Sequence, residues 1–182
     1  MPAGIGRRQE PARRVRPRGM IRPSMSAGEN NPAASGPNSV AEWVGYLSVA
    51  PLLACLAGVG LLPDYAAREV AQRIALAWGA VLLASGGAVH WGLAIAGRLP
   101  WEAARIGGAL LPAPVAAAAV ALGGERGLAL LVVGSGGFWL YEHRAVGALL
   151  PPAYLALRRH LTLAVCILLA LIMFASDAAG LT

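Results

Sequence analysis

Few side chains in this sequence have the acid–base or ionic character needed for chemistry, and those few lie within or beside apolar segments. His90 is the only ionisable residue within the uncharged run of residues 74–97. Glu142 closes another apolar run, and Arg158 precedes the last one. Ionisable groups are costly in apolar surroundings, so such positions are candidate functional sites. The sequence therefore predicts His90, its neighbour Trp91, Glu142 and Arg158 as candidate functional residues.

Each of these residues also has a plainer interpretation. A neutral histidine such as His90 can pack by bonding a backbone carbonyl or a serine. Arg158 and Arg159 together suit anchoring to lipid phosphate, whereas a planar contact from Arg158 to Glu142 or to a ligand phosphate needs the guanidinium fork. We expect the planar contact, because Arg159 alone can anchor the helix.

No pattern in the sequence indicates catalysis or metal binding. Glutamate and histidine are metal-ligand types, but Glu142 and the three histidines lack the spacing of three or four residues typical of a helical metal pair. The sequence supports no argument for a Ser-His-Asp triad, a pair of catalytic carboxylates, a phosphate-binding glycine loop or a Cys-His site. We therefore predict no catalytic residue, no metal and no cofactor, and the sequence favours a protein that is not an enzyme.

The composition indicates where these residues lie. Hydrophobic residues make up 57% of the 182 and charged residues only 13%, with a mean hydropathy of +0.60. Soluble domains carry about a quarter charged residues, so this chain cannot cover a water-facing surface. The two cysteines, Cys55 and Cys166, lie inside apolar stretches and suit packing. The sequence thus predicts an integral membrane protein.

Five apolar runs predict an all-α, polytopic bundle of about five transmembrane helices. A run of about 20 residues covers the ~30 Å hydrocarbon core at ~1.5 Å per residue. The fourth run is short for a span, so a re-entrant segment is its alternative, although Trp139 and Tyr141 suit an interfacial belt. The predicted spans are residues 43–62, 74–97, 106–122, 128–141 and 161–176.

Residues 1–40 predict a disordered tail, because seven arginines and six prolines interrupt any apolar periodicity. Met20 and Met25 are alternative start positions, and an organelle transit peptide is an alternative role for the segment. Without aromatic residues among the arginines, nucleic-acid binding is disfavoured. Twelve of the 15 arginines would lie on the side of the N-terminus, which predicts a cytoplasmic N-terminus and an external C-terminus in a bacterial inner membrane.

Small residues and prolines predict how the helices pack. Membrane helices associate through small residues that let backbones approach closely, and the second span carries such residues every four positions, from Ala80 to Ala96. The runs Ser85-Gly86-Gly87 and Ser135-Gly136-Gly137 suggest an internal duplication, with chance similarity of Ala/Gly-rich helices as the alternative. The predicted packing residues are Pro51, Gly86, Gly87, Gly92, Pro112, Gly136 and Gly137.

The order of several motifs resembles a known family. These are Val49-Ala50-Pro51, the run Gly86-Gly87-Ala88-Val89-His90-Trp91-Gly92, Pro112, Glu142, and the stretch from Pro151 through Leu157-Arg158-Arg159-His160-Leu161-Thr162. Over residues 43–174 the chain is similar to the multi-helix membrane family that includes transmembrane protein 69. The resemblance implies a membrane bundle and brings no known activity.

Three functional hypotheses remain open from the sequence. The leading one is a non-enzymatic accessory or assembly factor of a membrane complex, favoured by the small-residue rows and the lack of catalytic motifs. The second is a small-solute or ion carrier with a site between the Ser-Gly-Gly segments. The third is a membrane enzyme acting on a lipid or quinone through His90 and Arg158. The expected partners are the lipid bilayer and other membrane proteins.

Overall fold

The structure, a computed structural model, describes residues 39–100 and 102–181. The predictions for the Arg- and Pro-rich tail, including its disorder and the alternative starts Met20 and Met25, therefore concern a segment outside the described residues. Of that predicted tail only Ser39 and Val40 are described, and they begin the first helix.

The fold is an all-α bundle of six α-helices over the described residues, and the predicted fold class is confirmed. Four segments within it are long and apolar enough to cross a membrane: Glu42–Leu61, Tyr65–Ile95, Arg105–Leu122 and Pro152–Ala178. The helices are α1 (Ser39–Leu61), α2 (Tyr65–Ile95), α3 (Ala103–Leu110), α4 (Pro112–Leu122), α5 (Gly124–Ala145) and α6 (Pro152–Ala178), with a 3₁₀ turn at Gly147–Leu149.

The fourth predicted span, residues 128–141, lies within α5, which is not among the four apolar helices. Glu125 and Arg126 in its first turn and Glu142 and Arg144 near its end lower its hydropathy. Instead of a broad lipid-facing surface, α5 packs against α2, α4 and α6. Its inward-facing polar residues, Ser135 and Glu142, are therefore covered by protein, whereas Arg126, His143 and Arg144 near its two ends are exposed.

Two helices extend beyond the apolar runs that predicted them. The segment 64–73, predicted to be a loop, is helical from Tyr65, because the Asp64 carboxylate caps α2 by accepting a hydrogen bond from the Ala67 amide at 3.0 Å. Glu69 and Arg73 then pair along the helix at 2.6 Å. Similarly, α6 begins at Pro152 rather than near Leu161. Arg158 is consequently a helical residue.

Proline acts differently in the first and third predicted spans. Pro51 lies within α1, which continues unbroken past it. The third span divides at Leu111 into α3 and α4, with Pro112 as the first residue of α4. Since proline has no amide hydrogen, Pro112 and Pro114 each remove one helical hydrogen bond, and two losses within three residues end the helix. Leu111 is the resulting joint.

α2 is the central helix, with contacts to α1, α3, α4, α5 and α6. Its buried face runs through Leu76, Gly79, Leu83, Gly86 and His90, at alternating spacings of three and four, rather than along the predicted row with its constant spacing of four. A spacing of four at ~100° per residue turns by about 40° at each step, so a row of five positions drifts about 160° around the helix. Ala80 is therefore buried, whereas Ala88, Gly92 and Ala96 are exposed.

Candidate functional site

A buried ion pair joins α5 to α6. The carboxylate of Glu142 is 1% exposed, and the Arg158 Nε donates to its Oε2 at 3.0 Å. The Tyr154 hydroxyl donates to the other oxygen, Oε1, at 3.5 Å. Arg158 and Tyr154 are four residues apart on α6, which places both on the face that meets Glu142.

His90 approaches the same carboxylate from α2. Its Nδ1 lies 3.3 Å from the Gly86 carbonyl oxygen, and its Nε2 lies 3.6 Å from Glu142 Oε1. The second distance is too long for a hydrogen bond, and Nε2 is buried with no hydrogen-bond partner among the described residues. The three residues that the sequence singled out as ionisable therefore converge from three helices.

Phe138 lies between the side chains of His90 and Arg158. The rings of Phe138 and His90 make an edge-to-face contact, with their centroids 5.6 Å apart. The Arg158 guanidinium carbon lies 5.8 Å from the Phe138 centroid, within the range of a cation–π contact. Phe138 is one helical turn before Glu142, so both point to the same side of α5. Its ring fixes the positions of His90 and Arg158.

Two neighbouring glycines of α2 leave room for this arrangement. A Cβ atom at Gly86 would collide with Arg158 Nη2 and lie 2.9 Å from Phe138 Cε1. A Cβ atom at Gly87 would collide with the Ala109 carbonyl oxygen and lie 3.2 Å from Pro112 Cγ. Gly86 thus admits the arginine, and Gly87 admits the backbone of α3 beside Pro112.

A polar cavity of about 180 Å³ adjoins Arg158 and Phe138 and is lined by residues of α1, α2, α5 and α6. Both serines of the Ser-Gly-Gly runs line it. Ser135 is 8% exposed, and its hydroxyl has no hydrogen-bond partner among the described residues. The polar lining consists of Ser48, Ser85, Ser135, Arg158 and Thr162. Such hydroxyls beside an arginine can bind a polar molecule.

The other predicted residues lie around this site. Trp91 lines a cavity of about 10 Å³ with His90 and Arg105, room for one water molecule. Pro51 lines an apolar groove between α1 and α2. Cβ atoms at Gly92, Gly136 and Gly137 would meet no described atom within 4 Å, so these three glycines make no close helix contact there.

The donor set around Glu142 offers little to a metal ion. Among the described residues no group of three or more His, Cys, Asp or Glu side chains lies close enough to hold one. His90 and Glu142 supply two ligand types, while Arg158 brings a positive charge to the same carboxylate. The arrangement instead suits hydrogen bonding, ion pairing and the holding of a proton.

Four residues of this site are not among those predicted from the sequence: Ser48, Phe138, Tyr154 and Thr162. A signal for two of them is present, since Phe138 precedes Glu142 by four residues and Tyr154 precedes Arg158 by four. Ser48 and Thr162 carry no such signal, because hydroxyl residues are common in membrane helices and only packing decides which of them face a cavity.

Comparison with known proteins places the chain in a family. No curated protein and no solved structure matches it. The family model described as a protein of unknown function, DUF3429, matches residues 37–174, which include every residue of the ion-pair cluster and the polar cavity. The chain therefore belongs to the DUF3429 family.

Proposed function

We propose that this protein is an integral membrane protein that binds a small polar solute within the helix bundle, in the manner of a carrier. The observation that supports this function is the polar cavity of about 180 Å³, which is lined by Arg158 and four hydroxyl side chains. Charged and polar groups in such positions commonly mark solute pathways in membrane proteins. The site lies between the two Ser-Gly-Gly runs, at Ser85 and Ser135.

The size of the cavity limits the solute. Sites for drug-sized ligands occupy about 300–1,000 Å³, so about 180 Å³ suits a small ion, a small organic acid or a lipid headgroup. Ser85 is exposed near the middle of α2, which gives the cavity an opening on the outer surface of the bundle. A solute can therefore enter from the side of the bundle.

A thermal-stability screen of the detergent-purified full chain tests this function. Small anions, cations and neutral polar solutes are added in turn, and a solute that binds the folded state raises the melting temperature with its concentration. The Kd of the solute that binds most tightly should rise in Ser135→Ala. Ser176→Ala is the matched control, because Ser176 is also buried without a hydroxyl partner among the described residues but does not line the cavity.

Flux into vesicles then distinguishes carriage from simple binding. Proteoliposomes should accumulate the labelled solute identified in the screen, and Ser135→Ala should slow its entry relative to Ser176→Ala. Stable co-purification with a larger membrane complex and no stabilising solute would instead favour the accessory or assembly factor that the sequence suggested. Chemical conversion of the solute would favour the membrane enzyme.

The membrane orientation belongs to the same proposal. The arginine asymmetry supports a cytoplasmic N-terminus and an external C-terminus, in a bacterial inner membrane. The ion pair and the cavity would then lie toward the cytoplasmic ends of α2, α5 and α6.

Kinship with transmembrane protein 69 is also part of this proposal. The motifs at residues 86–92 and 151–162 support it.

A further inference from the structure

We infer that the polar cavity takes a small oxyanion with one negative charge, a carboxylate or a phosphodiester, and that the facing pair His90 and Glu142 takes up one proton as the anion binds. This inference rests on the proposed solute-binding function. It adds the chemical class of the solute and the coupling of solute binding to proton uptake.

The cavity offers several hydrogen-bond donors that no described residue uses. Only the Nε of Arg158 is hydrogen-bonded to a described residue, so its two terminal nitrogens remain available. The hydroxyls of Ser135 and Thr162 also lack partners among the described residues. A guanidinium fork and two free hydroxyls match the paired oxygens of a carboxylate or phosphodiester.

The other two hydroxyls add no free donor. Ser48 donates to the Gly45 carbonyl at 2.6 Å, and Ser85 donates to the Leu82 carbonyl at 2.9 Å. Their remaining lone pairs leave room for a water or for a hydroxyl carried by the solute. A cation is disfavoured, because Arg158 is the one ionised group among the described residues that line the cavity.

Charge balance limits how the anion can bind. Arg158 and Glu142 together are neutral, so an added anion would leave the buried cluster with a net charge of −1. An unbalanced charge is expensive in a site of low dielectric. One proton added to the cluster makes the complex neutral, and the geometry of His90 provides a place for it.

His90 and Glu142 face one another with room for a proton. The Gly86 carbonyl can only accept, so the hydrogen bond at His90 Nδ1 requires a hydrogen on Nδ1. In the neutral ring Nε2 then carries a lone pair, which points toward Glu142 Oε1 at 3.6 Å. Two acceptors that face each other repel, and one proton added to Nε2 converts the repulsion into an ion pair. The proton comes from a hydronium ion of the solvent, which is left as water: one O–H bond breaks and one N–H bond forms.

The other ionisable groups around this pair come from three helices. From α6, Tyr154 and Arg158 donate to the carboxylate. From α3, Arg105 lies across the small cavity beside His90, with its Nε 3.4 Å from Glu102. From α5, His143 is exposed and stacks on Trp139, away from the carboxylate. His90 is therefore the acceptor of the proton that directly faces Glu142.

The test measures anion affinity against pH on the detergent-purified full chain. The free probes are sodium acetate and sodium dimethyl phosphate, which stay ionised from pH 6 to pH 8, with choline as the cation control. Coupling to one proton predicts that Kd rises with pH, approaching tenfold per pH unit where the free pair is unprotonated. His90→Gln should keep measurable binding with a Kd independent of pH. A pH-indicator dye should also show proton uptake by the wild-type chain on addition of either anion.

A second arm distinguishes the source of the anion. The chain is placed in nanodiscs of phosphatidylcholine with or without phosphatidylglycerol, whose headgroup carries the same phosphodiester as dimethyl phosphate. Competition by phosphatidylglycerol against dimethyl phosphate would identify a lipid headgroup, and unchanged binding of the free anion would identify a soluble acid. Both results support the inference.

Three other outcomes would overturn it, and they can be told apart. Anion binding in the wild type without pH dependence or proton uptake would remove the proton coupling and leave the proposed function intact. Tight binding of choline in place of the anions would remove the anion class. Failure of every small solute in the screen to bind would remove the proposed function itself.

Discussion

Arg158 Nε and Glu142 Oε2 lie 3.0 Å apart, and the ion pair they form ties the start of α6 to the end of α5 against the glycine face of α2. Glu142 is almost fully enclosed, and Arg158 is 22% exposed. Two opposite charges in such a place compensate one another, and either one alone would be left without a counter-charge. The pair should therefore behave as one unit in stability and in binding.

A double-mutant cycle tests whether Glu142 and Arg158 stabilise the fold as a pair. Glu142→Gln and Arg158→Gln each leave one buried charge unpaired, and each should lower the free energy of unfolding by about 3–5 kcal/mol. The double variant removes both charges, so it should lose less than the sum of the single losses, with a coupling of about 1–3 kcal/mol. Denaturation in mild detergent measures all four proteins. Additive losses would show that the two side chains do not interact.

Replacement of the arginine by lysine tests the guanidinium itself. Arg158→Lys keeps the charge but loses the planar fork and the Nε donor, so we expect a loss of about 1–2 kcal/mol and much weaker anion binding. Arg159→Lys is the matched control, because Arg159 is the next residue and is exposed. It should change the melting temperature by no more than about 2 °C. Equal, small effects of both changes would remove Arg158 from the site.

The sequence was sufficient to predict the helical membrane fold, because hydropathy alone marks apolar segments. Helix ends were less predictable: Glu69 and Arg73 broke the apolar pattern while they paired along α2. The small-residue row of α2 also failed as a guide to packing, since a spacing of four drifts around the helix. Local patterns predict well which segments form apolar helices, but they do not determine which face of each helix is buried.

The residues of the candidate site could also be predicted from the sequence in part, but their arrangement could not. His90, Glu142 and Arg158 stood out in the sequence because ionisable residues are rare beside apolar runs. Their mutual distances depend on how α2, α5 and α6 pack, which no local pattern gives. Ser135 belongs to a repeated Ser-Gly-Gly run that the sequence makes visible, whereas no pattern marks Thr162 as a site residue, yet both line the cavity.

The membrane orientation makes a separate prediction. With the N-terminus in the cytoplasm, a reporter that is active only outside the cytoplasm should be active when fused after Thr182 and inactive when fused after Arg98. The physical reason is that loops rich in arginine remain on the cytoplasmic side during insertion. The reverse activities would invert the proposed topology and place the ion pair toward the outside.

The last prediction concerns the glycine face that receives Arg158. Gly86→Ala adds a methyl group where Arg158 Nη2 and the Phe138 ring now lie, so the guanidinium must move away from Glu142 or α2 must move away from α5 and α6. We expect Gly86→Ala to lower the free energy of unfolding by about 1–3 kcal/mol, which is typical of overpacking, and to weaken binding of the anion.

Gly92→Ala on the same helix is the matched control, because its methyl group would meet no described atom within 4 Å. Alanine favours a helix over glycine by roughly 0.5–1 kcal/mol, so this control should be neutral or slightly stabilising. Thermal unfolding in detergent and acetate titration of both variants provide the measurement. If Gly86→Ala were as stable as Gly92→Ala and bound acetate equally well, close packing of Arg158 against α2 would have no role in the site.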